Sequence, residues 1–119
     1  MAKHKFRNLL VWEKSRALVK EVYELTVNFP NEEKFGLISQ LRRAVISISS
    51  NVSEGSGRGS DKDFSRFLDM AEGSANEVIN LLVLSYDLNL ILKDELNNLI
   101  EKIEEVIKMI NGFRKKIND

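Results

Sequence analysis

Four stretches of the chain repeat apolar side chains in alternating steps of three and four residues, the spacing that lines one face of a helix. Over about 8–29 the stripe is Val11, Ser15, Leu18, Val22, Leu25 and Phe29, flanked by Trp12 and Tyr23. Pro30 stops this first helix, because its ring has no amide hydrogen and biases the preceding residue away from helical geometry. Asn31 is then placed to cap a second helix over about 31–54, with Glu32 and Glu33 in its first turn. Its stripe is Ile38, Leu41, Val45, Ile48 and Val52, and the small residues Ser39, Ala44, Ser47, Ser49 and Ser50 between them allow a neighbouring helix to come close. Gly55, Gly57 and Gly59 follow, residues suited to positive φ at a helix end.

Ser60 with Asp63 three residues later forms a capping-box pattern, so a third helix is predicted over about 61–88. Its stripe reads Phe64, Leu68, Ala71, Ala75, Val78, Leu82 and Ser85. This helix is also apolar off the stripe, at Phe67, Ile79, Leu81, Val83, Leu84 and Tyr86. One bundle needs one apolar face per helix, so the surplus predicts contact with further copies of the chain. Asn89 is placed to close the helix in the left-handed region. Leu92, Leu96, Leu99, Ile103, Val106, Ile110, Phe113 and Ile117 then give a heptad stripe for a fourth helix over about 93–117, with Glu101, Lys102, Glu104, Glu105 and Lys108 opposite. Four stripes joined by short loops predict an all-α domain over 8–119, an up-down-up-down antiparallel four-helix bundle, after a loose tail at 1–7.

Composition narrows the chemistry. The 119 residues hold one proline and no cysteine, which favours long helices and removes disulfides, thiolate metal sites and cysteine nucleophiles. Eighteen basic and eighteen acidic side chains cancel, but unevenly: residues 1–30 hold six Lys or Arg against three Glu, and residues 61–92 hold two against six Asp or Glu. The basic start leads into an amphipathic helix rather than an apolar leader, so a cytoplasmic location is expected. Residues 78–92 are rich in apolar side chains but too short to cross a bilayer and broken by Asn80, Asp87 and Asn89, so no membrane partner is expected.

The catalytic routes open to a bundle are closed one by one. Di-metal bundles need histidines on facing helices, and the only histidine, His4, lies in the tail and reads as solvated. With that histidine in the tail, no serine has one available as a base for triad chemistry. Asp69, Glu72, Glu77 and Asp87 fall beside the stripes, where they read as surface charges paired with Arg42, Arg43 or Arg66. The Gly-rich turn at 55–59 lacks the Lys-Ser/Thr of a P-loop, and Asp61 and Asp63 oppose an anion there. No metal, no cofactor and no enzymatic activity are expected. What remains is basic: Lys3, Lys5 and Arg7; Arg42 and Arg43; Arg58, Lys62 and Arg66; Arg114, Lys115 and Lys116. Repeated around an axis, one arginine per chain becomes a circle of like charge able to hold a polyanion.

The segments FRNLLVWEKS, FGLISQLRRAVISISSNVSEG, FSRFLDMAEGSANEV and MINGFRKKI together resemble the four-helix bundle proteins encoded as intervening sequences in bacterial 23S ribosomal RNA genes. The resemblance spans nearly the whole chain. It implies an up-and-down bundle assembled as a homopentamer, and kinship with the accessory variability proteins of diversity-generating retroelements, which are basic, bind nucleic acid and partner a reverse transcriptase. Gln40, Leu41, Arg42, Arg43 and Ala44 match the second-helix motif, Glu54 and Gly55 its end, and Gly73, Ser74 and Glu77 the third-helix motif. The zero net charge departs from the retroelement branch, and Asn89 stands where the family often has glycine.

Two functions follow as expectations. One is a non-enzymatic oligomer that binds RNA or DNA through a ring built from Arg42, Arg43, Arg58 and Arg66. The other is a structural scaffold that binds a protein partner through the third helix or the basic end.

Overall fold

A computed structural model describes residues 4–118. Four helices carry the fold, α1 (Leu10–Thr26), α2 (Leu37–Ser56), α3 (Asp61–Asp87) and α4 (Lys93–Asn118), with single 3-10 turns at Phe6–Asn8 and Asn31–Glu33 and no strand among the described residues. The particle measures 47 × 23 × 19 Å, a length set by the longest helices at 1.5 Å per residue.

Each stripe turns inward as its spacing requires. Val11, Leu18 and Val22 of α1, Leu41, Val45, Ile48 and Val52 of α2, Phe64, Leu68, Val78 and Leu82 of α3, and Ile103, Val106 and Ile110 of α4 form one core. Ser15 and Ser85 sit in it without penalty, because each hydroxyl donates to a carbonyl of its own helix, Val11 and Leu81 respectively. The contact between α2 and α3 is the most extensive, which the small side chains permit: the Ser74 hydroxyl donates to the Ser47 hydroxyl at 2.9 Å. Residue numbers run in opposite senses across the contacts. Ser47 meets Ser74 while Gly55 meets Phe64 and Phe67, and Asn118 meets Ser65 while Arg114 meets Asp69 and Glu72.

Several sequence expectations are corrected. The first helix runs over Leu10–Thr26 rather than 8–29, because Leu9 is extended and separates it from the Phe6–Asn8 turn, while Phe29 is buried from beyond its end. The second begins at Leu37, not at 31. Asn31 opens only a 3-10 turn, and the helix start is instead served by the Glu33 carboxylate, which accepts from the Leu37 N–H at 3.3 Å. No described glycine has positive φ, and Gly55 lies inside α2, where the reason for glycine is space rather than torsion. Of the tail expected to be loose, residues 1–3 lie outside the described residues, and His4 is packed against Phe64 and Phe113. Leu92, placed on the fourth stripe, precedes the helix and is exposed, while Ile91 beside it is buried in its stead.

The surplus apolar face of α3 is partly spent within the chain. Phe67 and Leu81 are 6% and 5% exposed, since α3 makes the two most extensive helix contacts of the fold, against α2 and α4, and needs a wider apolar face than one stripe supplies. They are not available to a second copy. Ile79 is half-buried, and Val83, Leu84 and Tyr86 remain exposed.

Candidate nucleic-acid interface

The sequence-predicted arginines do not form one patch. Arg42 is committed to the fold: its Nε donates to the Thr26 hydroxyl at 2.9 Å and its guanidinium lies 4.3 Å from the Tyr23 ring centroid, tying α1 to α2. Arg43 is exposed in a groove lined also by Phe35, Ser39, Gln40 and Glu77. Arg58 lies just past the far end of α2 and Arg66 on α3 level with its last turn, about 20 Å away at 1.5 Å per residue along that helix. The carboxylates are distributed differently from the sequence expectation as well. Asp69 and Glu72 bind Arg114, not the α2 arginines, and Arg66 faces Asp63 at 3.4 Å.

What the fold does assemble is one end. The His4 ring lies 5.2 Å from Phe64 and 5.6 Å from Phe113, and its Nε2 is 3.4 Å from an Asp61 carboxylate oxygen. Phe64 and Phe113 are themselves 5.3 Å apart, and the Asn118 side-chain amide donates to the Ser65 hydroxyl at 3.1 Å. These contacts bring the start of the chain, the α2–α3 connection and the last turns of α4 to the same place. With them come Lys5, Arg7, Arg58, Lys62, Arg66, Lys115 and Lys116, against Glu54, Asp61 and Asp63. Lys3 lies outside the described residues. Arg114 belongs here by position, but it sits between Asp69 and Glu72, and the three together carry a net charge of −1. Arg58 stacks its guanidinium over Phe67 at 4.6 Å, which pre-orients the group while leaving its edge toward solvent.

The opposite end has the reverse sign. Glu24, Glu32, Glu33, Asp87, Asp94 and Glu95 gather there against Lys34, Lys93, Arg42 and Arg43, while Glu21 is paired with Lys102 at 2.7 Å. A zero net charge therefore conceals a bundle that is electrically polar along its long axis, with fields that add over each end. Sequence reasoning missed the part played by His4, whose partner Asp61 is 57 residues away and has no local signature.

Among the described residues no three His, Cys, Asp or Glu side chains converge on a point where a metal could sit, and no helix is long and apolar enough to cross a membrane. Fold and surface together define a small all-α protein of four helices with one basic and one acidic end. The chain belongs to the 23S rRNA-intervening sequence protein family, whose profile matches residues 7–112. It is similar to a protein of unknown function from the S23 ribosomal protein family of Bacteroides thetaiotaomicron VPI-5482, solved by crystallography. The two share 25% sequence identity and a TM-score of 0.80, covering 89% of this chain and 99% of that one. No curated protein matches the sequence.

Proposed function

We propose that this protein is a non-enzymatic, up-down-up-down bundle that works as a homo-oligomer, a pentameric ring as the resemblance implies, and holds RNA or DNA at its basic end. The observation that carries the reading is the convergence of three basic stretches, distant in sequence, at the end built on His4, Phe64 and Phe113. The opposed residue numbering across α2–α3 and α3–α4 supports the up-and-down course of the chain. Ile79, Val83, Leu84 and Tyr86 provide the lateral apolar surface for neighbouring copies. Side-by-side copies would set every basic end on one rim, where the fields add and a flexible polyanion can touch several chains.

The test compares variants in a fluorescence anisotropy titration with labelled single-stranded RNA at about 50 mM salt, where phosphate contacts are least screened. Replacing Arg58, Arg66, Lys115 and Lys116 by Ala is expected to weaken binding at least tenfold at unchanged helicity by circular dichroism, as loss of several phosphate contacts requires. Arg43→Ala, remote from that end, is expected to leave affinity within about twofold. Absence of RNA binding by the parent protein under these conditions removes the reading.

A further inference from the structure

The two helix connections at the acidic end, residues 27–36 and 88–92, carry the four most exposed large apolar side chains among the described residues. These are Phe35 at 88%, Leu92 at 71%, Val27 at 70% and Leu88 at 59%. Glu24 of α1 and Asn28 just beyond it line one groove with Glu95 at the start of α4, and Phe35 lines another with Arg43 of α2 and Glu77 of α3. The end that displays these groups is no more than about 23 × 19 Å in cross-section. Solvent exposure of a single Leu or Val needs no explanation; four in two connections at the same end of the bundle, where carboxylates outnumber cations, is a different matter.

We propose that this acidic, apolar end docks a protein partner through a basic segment whose lysines or arginines alternate with apolar side chains. Charge decides between the possible occupants. Nucleic acid and anionic lipid surfaces are repelled by Glu24, Glu32, Glu33, Asp87, Asp94 and Glu95. A second copy meeting this end head-on brings the same carboxylates against each other. A second copy meeting it head-to-tail offers the basic end, where among the described residues only Leu10 is exposed to a like degree. A cationic, apolar-studded segment satisfies both features, its apolar groups covering Phe35 and Leu92 while its ammonium or guanidinium groups meet the carboxylates. Phe35 shows the chemistry in miniature, since its ring already faces the Lys34 ammonium at 5.6 Å. The proposal does not depend on nucleic-acid binding at the opposite end.

The test uses the full-length protein and three labelled probes of equal length: a peptide alternating Leu with Lys, the same peptide with Ser for Leu, and the same with Glu for Lys. In anisotropy titrations the Leu/Lys peptide is expected to bind at least tenfold more tightly than either control. The amide shifts it causes in nitrogen-15 spectra are expected to fall in residues 27–36 and 87–95. Phe35→Ser combined with Leu92→Ser, both at exposed positions, is expected to weaken binding roughly tenfold or more, and Glu32→Lys with Asp94→Lys to weaken it in a salt-dependent way. Arg58→Ala with Arg66→Ala is expected to leave peptide binding unchanged, so this proposal and the nucleic-acid reading fail separately. Equal binding of the three probes overturns the proposal, as does indifference to the Phe35 and Leu92 changes. Concentration-dependent self-association abolished by those same changes also overturns it, by assigning the surface to a second copy.

Discussion

Glycine plays opposite parts at different points of this chain. A Cβ built on Gly55 would lie 2.7 Å from Phe64 Cδ1 and 2.7 Å from Phe67 Cβ, inside the α2–α3 contact, so the two helices touch there only because the side chain is missing. Gly112 is also helical, but nothing lies within 4 Å of the position its Cβ would take. The same substitution is therefore expected to act with opposite sign. Gly55→Ala forces the core apart and is expected to cost about 1–3 kcal/mol. Gly112→Ala removes the backbone entropy of a helical glycine and is expected to stabilise by about 0.5–1 kcal/mol. Urea denaturation of the two variants beside the parent protein measures both, and a destabilised Gly112→Ala would show that position to be covered by something other than this chain.

At the scale of the element, the helix ends are held by different devices. Ser60 accepts from the Asp63 N–H at 3.1 Å, satisfying a donor at the start of α3. Ser60→Ala is expected to cost about 1 kcal/mol. The other end of α3 is closed by a Schellman arrangement, in which Leu90 N–H donates to the Ser85 carbonyl and Asn89 N–H to that of Tyr86, both at 2.9 Å, with Asn89 at φ 61°. Asn89→Gly keeps that torsion available and is expected to be neutral or slightly stabilising. Asn89→Val places a β-branched side chain in the left-handed region and is expected to cost roughly 1–2 kcal/mol. A thermal melt followed by circular dichroism separates these outcomes. Equal midpoints for the Gly and Val variants would mean that the turn adopts another conformation in solution.

For the whole molecule, the quantity that matters is where charge lies rather than how much there is. If RNA binds at the basic end, the slope of log affinity against log salt counts the phosphates neutralised, about 0.7 per contact for a single strand. Lys115→Ala with Lys116→Ala is expected to lower that slope by about one to two and to weaken binding alike for all sequences. Substitutions at the acidic end are expected to leave the slope unchanged. Oligomer formation is a separate measurement: light scattering at micromolar concentration is expected to give a multiple of the 13.6 kDa chain. Val83→Glu with Leu84→Glu is expected to return the particle toward a single copy, since both side chains are exposed on the isolated bundle.

The four helices, their stripes, the Ser60 cap and the Asn89 turn could be read from the sequence because each depends on residues within a few positions of one another, where periodicity and torsional preference act. The same local logic misplaced the start of α2, since Glu33 competes with Asn31 for the role of terminator and only the folded backbone shows which carboxylate or amide reaches a free N–H. Burial of Phe67 and Leu81, the close approach at Gly55, the engagement of Arg42 with Thr26 and Tyr23, and the pairing of Arg114 with Asp69 and Glu72 are decisions of tertiary structure. Each requires knowing which helix lies beside which, and at what register. The sorting of a neutral chain into a basic end and an acidic, apolar end belongs to the same class. Charge separated by tens of residues in sequence adds or cancels according to distance in space, and that distance is set only when the stripes have closed on a common core.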